Sequence, residues 1–238
     1  MSGHSKWATT KHQKAVTDAR RGAAFTKIAN MITIAAREGG DPEFNFKLRL
    51  AVEKAKATSM PKDNIERAIT RGTGKGDGAN KVEELTYEAY GPGGSALIIT
   101  ALTDNKLRAF TDIRSTVNKF GGRMAEAGSV SYMFDKKGQI IVSHKPEQSD
   151  DVQLAAIDLG VDDVDTEGEL TRIITSSHDL QKVRQGLIDG GFTVDEADLK
   201  WICKIPHELS DEDHVKLDRL IDNLDLLDDV TTIDTNVA

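Results

Sequence analysis

The stretch SDEDHVKLDRLIDNLDLLDDVTTIDT, residues 210–235, decides how this chain is organised. It opens with Asp211, Glu212 and Asp213, and negative charge is favourable in the first turn of a helix, so a helix is predicted near 210–224. A strand near 229–234 follows. By itself this αβ piece has no sheet to join. Residues 85–135, however, read as a βαβ unit that lacks a second helix and a last strand. The tail is expected to complete that unit, which makes residues 137–204 an inserted domain.

Working outward, Leu85 to Tyr90 reads as a strand, Gly91-Pro92-Gly93-Gly94 as a turn, and Ala96 to Leu102 as a buried strand. Leu107, Phe110, Ile113 and Val117 recur at helical spacing near 106–119. Gly121-Gly122 ends that helix, and Ser129 to Phe134 is expected to return as a strand. The inserted stretch reads as strand 139–143, helix 149–159, strands near 162–166 and 169–175, helix 179–189 and strand 192–204. That order, βαββαβ, predicts a split-βαβ sandwich with its helices on one face. The expected fold class is α+β and multidomain. An N-terminal three-helix domain precedes two split-βαβ, ferredoxin-like sandwiches, one inserted in the other. The expected boundaries are 1–76 for a basic arm plus helical domain, 77–136 with 205–238 for the discontinuous α/β domain, and 137–204 for the inserted one.

Three helices fit residues 22–72. Phe25, Ile28, Ile32 and Ala35 mark the first, which Gly39-Gly40-Asp41-Pro42 stops. Leu48, Ala51, Val52 and Ala55 form the stripe of the second, with Lys47, Arg49, Lys54 and Lys56 around it. Ser59 and Pro61 sit at the expected start of the third, Ile65, Ala68 and Ile69 on its apolar face, and Gly72 at its stop. The run Gly72-Thr73-Gly74-Lys75-Gly76-Asp77-Gly78 resembles a phosphate-cradling loop only superficially. Gly76 stands where a Walker motif needs Ser or Thr, and no strand precedes it, so a flexible linker is expected.

With 238 residues, 38% hydrophobic and 29% charged, the composition is that of an ordinary globular protein. The longest apolar run, Ala96-Leu97-Ile98-Ile99-Thr100-Ala101-Leu102, is too short to span a bilayer, and no apolar signal segment opens the chain. The N-terminus is basic like a transit peptide, but poor in Ser and in apolar surface. A single cysteine, Cys203, excludes an internal disulfide and a cysteine-based zinc site. Cytoplasm is the expected compartment. Charge is more informative. The net charge is −8, yet residues 1–75 hold 15 Lys and Arg against 7 acids, while the remainder holds 16 against 32. Screening beyond about 8 Å at physiological salt makes this split matter more than the total. It suits nucleic acid, a membrane surface or an acidic partner, or else a solvated, solubilising arm.

Signatures of catalysis are weak. His4, His12, His144, His178, His207 and His214 lie in different contexts with no ligand-like spacing. Cys203 reads as packed in a strand beside Trp201 and Ile205, and Asp150-Asp151 and Asp162-Asp163 read as solvated turns. No catalytic residue, metal ligand or cofactor is expected. A hydrolase using a cleft between the α/β domains is the enzyme reading left open.

The basic arm carries more chemistry. Lys6, Lys11, Lys14, Arg20 and Arg21 place five cations in sixteen residues, and Lys27 extends the run into the first helix. Such a segment can track phosphates, with Trp7 and His12 available to stack on bases. Packing of Trp7 on the helical domain is the competing reading. Four to six neutralised phosphates correspond to a log–log salt slope of about −3.6 to −5.4 on duplex DNA. The arm has too little apolar surface to offset its ordering entropy, so it is expected to order only on its partner. A membrane-surface helix is disfavoured, because the apolar face is nearly absent. The candidate nucleic-acid-binding residues are Lys6, Trp7, Lys11, His12, Lys14, Arg20, Arg21 and Lys27.

These residues also carry a family resemblance. Gly3-His4-Ser5-Lys6-Trp7, Lys11-His12 and Asp18-Ala19-Arg20-Arg21-Gly22 are similar to the opening of the YebC family, which includes the mitochondrial translational activator of cytochrome oxidase subunit one. The similarity continues through Ala35-Ala36-Arg37-Glu38-Gly39-Gly40-Asp41-Pro42, then Met60-Pro61-Lys62-Asp63-Asn64-Ile65-Glu66-Arg67-Ala68-Ile69 and Arg71-Gly72. Tyr87-Glu88, Tyr90-Gly91-Pro92-Gly93-Gly94 and Gly128-Ser129-Val130 complete it. It implies a helical domain and two α/β domains, one interrupting the other, and nucleic-acid association without enzymatic activity. It also implies two roles: transcriptional regulation through DNA, and assistance to the translating ribosome at proline-rich stretches. The chain departs from the family pattern at Gln13, where relatives often have a basic residue, and at Phe44-Asn45-Phe46, where Ala and Pro are common. The expected partner is therefore DNA, or ribosomal RNA within the ribosome. The 45–71 helical pair, with Thr58-Ser59-Met60-Pro61 between its helices, imitates a helix-turn-helix only weakly.

Overall fold

The computed structural model describes residues 18–75 and 82–237. These fall into two compact units. One comprises 134–204; the other combines 18–133 with 205–237.

In the second unit the chain starts with α1 (Asp18–Ala35), a 3-10 turn at Ala36–Glu38, α2 (Phe46–Ala57) and α3 (Lys62–Gly72). Helix α1 is described from four residues before its expected start. Ala19, Ala23 and Ala24 are strong helix formers, and Gly22 alone costs too little to stop it. The predicted stripes converge: Ile28, Ile32, Leu48, Ala51, Val52, Ala55, Ile65 and Ala68 share one buried core. Buried Asn45 joins two helix ends. Its Oδ1 accepts from Leu48 N–H at 3.0 Å, and its Nδ2 donates to the carbonyls of Ala35 at 2.7 Å and Gly39 at 2.8 Å.

Two punctuation residues act differently from expectation. Gly72 is the last residue of α3 rather than a stop beyond it, and it is a contact point. A Cβ there would lie 2.7 Å from Ala36 Cβ and closer still to the Thr33 carbonyl oxygen, so glycine is what lets α3 cross α1. Ser59 closes α2 rather than opening α3. At φ 60° it lets Met60 N–H reach the Ala55 carbonyl at 2.9 Å, and Pro61 takes the N-cap of α3.

The sheet of this unit begins with β1 (Glu83–Tyr90) and β2 (Ala96–Thr103), followed by α4 (Lys106–Lys119) and β3 (Arg123–Met124). The chain then leaves for the other unit, which holds β4 (Phe134–Ser143), α5 (Ser149–Asp158), β5 (Asp163–Glu167), β6 (Leu170–Ser176), α6 (Leu180–Asp189) and β7 (Thr193–Cys203). It returns as α7 (Asp211–Asp225) and β8 (Val230–Thr235). The fold is α+β, with two four-stranded antiparallel sheets ordered β3-β1-β2-β8 and β5-β6-β4-β7. In the 134–204 unit, β4 and β5 flank β6, and β6 and β7 flank β4, so two split βαβ units interlock. The tail finds its sheet as the sequence predicts. Strand β8 pairs with β2, Ile99 opposite Ile233, while Leu217, Leu220 and Leu224 of α7 pack with Leu97, Ile99, Ile113 and Val117.

The strand expected at Ser129–Phe134 is not there. Residues 131–133 form a 3-10 turn, and the strand beside β1 is the two-residue β3, with Tyr90 opposite Arg123. Buried Glu88 on β1 is the cause. Its carboxylate accepts the backbone N–H groups of Gly128 at 2.7 Å, Val130 at 2.5 Å and Ser131 at 3.0 Å. Donors aimed at one carboxylate cannot also form a ladder.

Within the same unit, polar side chains tie the helices to the sheet. Arg71 of α3 donates to Thr33 Oγ1 at 2.7 Å and Asn30 Oδ1 at 3.1 Å, and Asn30 Nδ2 donates to the Leu102 carbonyl on β2 at 3.2 Å. Arg37 donates to the Val82 carbonyl. Among the described residues no helix is long and apolar enough to cross a membrane.

Candidate nucleic-acid interface

Of the eight candidate contact residues, Lys6, Trp7, Lys11, His12 and Lys14 lie outside the described residues. Arg20 and Arg21 belong to the start of α1 by their backbone. Lys27, two turns further along α1, is held internally. Its ammonium lies 3.1 Å from Asp225 Oδ1 and also donates to the Asp225 carbonyl, and its side chain is 14% exposed. Asp225 ends α7, where unsatisfied carbonyls and the helix dipole both favour a cation. Lys27 is placed as a brace between α1 and α7.

The same accounting over α1–α3 shows which charge is available to a polyanion. Arg71 and Arg37 serve the internal bonds described above. Lys47 pairs with Glu38 at 2.5 Å, and Arg49 donates to the carbonyls of Pro42 and Glu43, both at 3.1 Å. Lys62 pairs with Glu66 at 3.4 Å, and Arg67 donates to the Asp63 carbonyl at 3.2 Å. Lys56 and Lys75 are exposed, and their ammonium groups make no ion pair or hydrogen bond among the described residues. These two were not among the sequence-derived candidates. Their only sequence signal is position, in the last turn of α2 and just beyond α3.

The acids and histidines form no competing centre. Among the described residues no three His, Cys, Asp or Glu side chains gather into a group able to hold a metal ion. His207 Nε2 lies 2.9 Å from the Gly93 carbonyl. Asp213 accepts from Ser210 Oγ at 3.0 Å and Lys216 Nζ at 3.3 Å, which hold its carboxyl below the usual range. Arg108 makes a two-pronged pair with buried Asp229, Nε–Oδ2 3.0 Å and Nη2–Oδ1 2.8 Å, and that carboxylate pushes the guanidinium pKa up. The pair ties α4 to the turn before β8, a structural duty.

Comparison with known proteins bears on the whole chain. The family described as TACO1/YebC protein N-terminal domain matches residues 5–75, and that described as TACO1/YebC second and third domain matches residues 82–237. The chain is 49% identical over 237 residues to a "Probable transcriptional regulatory protein" of Bifidobacterium longum, spanning 99% of this chain and 94% of the relative. A protein of the same name in Chloroflexus aggregans is 48% identical over 241 residues, spanning 100% and 95%. Among solved structures, the crystal structure of a conserved hypothetical protein, Aq1575, from Aquifex aeolicus is similar with a TM-score of 0.89 and 38% identity, covering 98% of this chain and 97% of that one.

Proposed function

The chain belongs to the TACO1/YebC family, and from that premise we propose that it is a non-enzymatic, cytoplasmic regulator of gene expression that acts by binding DNA through its basic N-terminal segment. The observation that carries this reading is the charge division. Fifteen Lys and Arg against seven acids lie in residues 1–75 of a chain whose net charge is −8. Most described cations of α1–α3 have partners within the domain, so the reading rests on Lys6, Lys11, Lys14, Arg20 and Arg21, with Lys56 and Lys75 as further exposed cations of the same segment. Phosphate neutralisation by such a cluster supplies sequence-independent affinity and orients the protein. Trp7 and His12 add stacking surfaces. The relatives named as probable transcriptional regulatory proteins support the same direction.

One observation favours a second reading, a translation factor on ribosomal RNA. Helix α3, the second of the helix-turn-helix-like pair, places Asp63 and Glu66 among Lys62 and Arg67, and Lys62 is paired with Glu66. A recognition helix presents donors to base edges without acids among them, and the mixed charge of this exposed face disfavours that role.

The test is a salt titration of binding to a labelled duplex, comparing the full chain with its Arg20→Ala/Arg21→Ala variant. Loss of two phosphate contacts should flatten the log–log slope by about 1.8. An unchanged slope refutes the assignment of the arm. Genomic footprinting alongside ribosome co-sedimentation separates the two readings: ribosome association without a footprint would replace DNA by ribosomal RNA.

A further inference from the structure

The turn after β1 and the end of α4 border an open pocket of about 320 Å³ lined by Tyr90, Gly91, Gly93, Gly94, Gly121, Gly122 and Arg123. That is the lower end of the size range of ligand sites. Tyr90 and Arg123 stand directly opposite each other across β1 and β3, and the guanidinium carbon lies 4.5 Å from the centre of the Tyr90 ring. The ring is itself anchored, since Tyr90 Oη donates to the Ser129 carbonyl at 3.0 Å. Arg123 is exposed and has no acidic partner among the described residues. A guanidinium held over a ring is positioned by cation–π attraction while its N–H groups stay available, an arrangement that suits a forked contact to a phosphate.

The glycines supply the room. Gly94 and Gly121 have φ of +81° and +83°; a Cβ at Gly121 would meet nothing within 4 Å, and at Gly94 only His207 Nε2 at 3.9 Å. Their bare backbone therefore faces open space, where a ligand can approach closely. Gly121 also terminates α4, so helix ending accounts for that residue, but it does not account for an arginine without an acidic partner set over a ring beside it.

We propose that the Tyr90–Arg123 cavity binds one backbone phosphate of the polynucleotide, a contact separate from the basic arm. One guanidinium matches the single charge of a phosphodiester rather than the several charges of a nucleoside triphosphate. This rests on the nucleic-acid reading above, and the experiment keeps the two apart.

The full chain, Arg123→Gln, Arg123→Lys and Arg20→Ala/Arg21→Ala are titrated across salt with the same labelled duplex and with a labelled ribosomal RNA fragment, and the wild-type chain is titrated with inorganic phosphate by NMR. Arg123→Gln should weaken duplex binding severalfold and flatten the slope by about 0.9, one phosphate, while Arg123→Lys keeps the slope. Phosphate should shift the Arg123 Nε–H and the Gly94 and Gly121 amides. If Arg123→Gln binds like wild type while the arm variant is impaired, the cavity proposal falls and the arm assignment stands. If wild type fails to bind duplex and ribosomal RNA alike, the functional reading falls; phosphate shifts at Arg123 would then assign the cavity to a free phosphate ester and overturn the polynucleotide as its ligand. No shift and no slope change overturns the cavity as a phosphate site of any source.

Discussion

Replacing Glu88 by Gln removes a charge that organises the segment between β3 and β4. Glu88 is 8% exposed, and its two oxygens accept three backbone N–H groups, Gly128 on Oε1 and Val130 and Ser131 on Oε2. Burial opposes its ionisation, but the backbone hydrogen bonds from Gly128, Ser131 and Val130 outweigh it and hold the carboxyl below its ordinary 4.5. A Gln amide has one oxygen. If that oxygen serves Val130 and Ser131, the NH₂ group faces the Gly128 N–H and one bond is lost, while two others fall from charge-assisted to neutral. With charge-assisted bonds at about 1.5–3 kcal/mol and neutral ones at about 0.5–1.5, the local cost is about 2–4 kcal/mol at neutral pH. Amide hydrogen exchange reads this segment directly, without assuming two-state unfolding of the whole chain. Protection at Gly128, Val130 and Ser131 should fall by about 30- to 1,000-fold, with far smaller changes in β2. The pH dependence has a definite sign. A depressed folded pKa contributes stability that is present above the unfolded value and is lost as pH falls through the folded one, so the gap between wild type and variant should close below about pH 4.5. Equal protection at neutral pH, or a gap that widens on acidification, would refute the reasoning.

Two further substitutions test the placement of α1. Gly72→Ala puts a methyl group 2.7 Å from Ala36 Cβ and against the Thr33 backbone, so it should destabilise the α1–α3 crossing by about 1–3 kcal/mol, read by urea denaturation and by exchange in α1 and α3; an unperturbed midpoint would contradict the close approach. Lys27→Gln removes the brace to Asp225, whose side chain is 71% exposed, so the stability cost should stay within about 1 kcal/mol. Its duplex-binding slope should match wild type, and a slope flatter by about 0.9 would make Lys27 a phosphate contact instead.

What the sequence showed and what it hid divide along the range of the interactions. The α7–β8 tail was legible because acids at a helix start and an unpaired αβ remainder are local facts with one topological solution. The stripes of α1–α3 were legible because burial imposes helical periodicity. The missing strand at 129–134 was not, because it depends on a carboxylate some forty residues upstream that withdraws three donors from any ladder. Gly72 looked like a helix stop because the same residue type serves both an end and a crossing, and only tertiary packing distinguishes them. Lys27 read as one more arm cation because its partner, Asp225, is 198 residues away. The stacked pair Tyr90–Arg123 was hidden for the same reason: cross-strand neighbours are set by register, which β3, two residues long, barely signals.

Counting free cations bounds how this chain can hold a polyanion. If all fifteen Lys and Arg of residues 1–75 neutralised phosphates, the slope on duplex DNA would approach about −13.5. Internal bonds to Asp225, Glu38, Glu66, Val82 and the Thr33–Asn30 pair withdraw most of the cations in α1–α3 from that total. The five arm cations alone give about −4.5, and adding Lys56, Lys75 and Arg123 gives about −7. The remaining chain, 16 Lys and Arg against 32 acids, repels a polyanion over several ångströms of solvent and discourages contacts elsewhere. A slope between −4.5 and −7 therefore assigns binding to a small set of named side chains. A slope near −13 would require Arg37 and Arg71 to leave their part-buried partners as well as the surface pairs of Lys47 and Lys62 to open, and the buried Asn45, Arg71 and Gly72 contacts oppose the first of these.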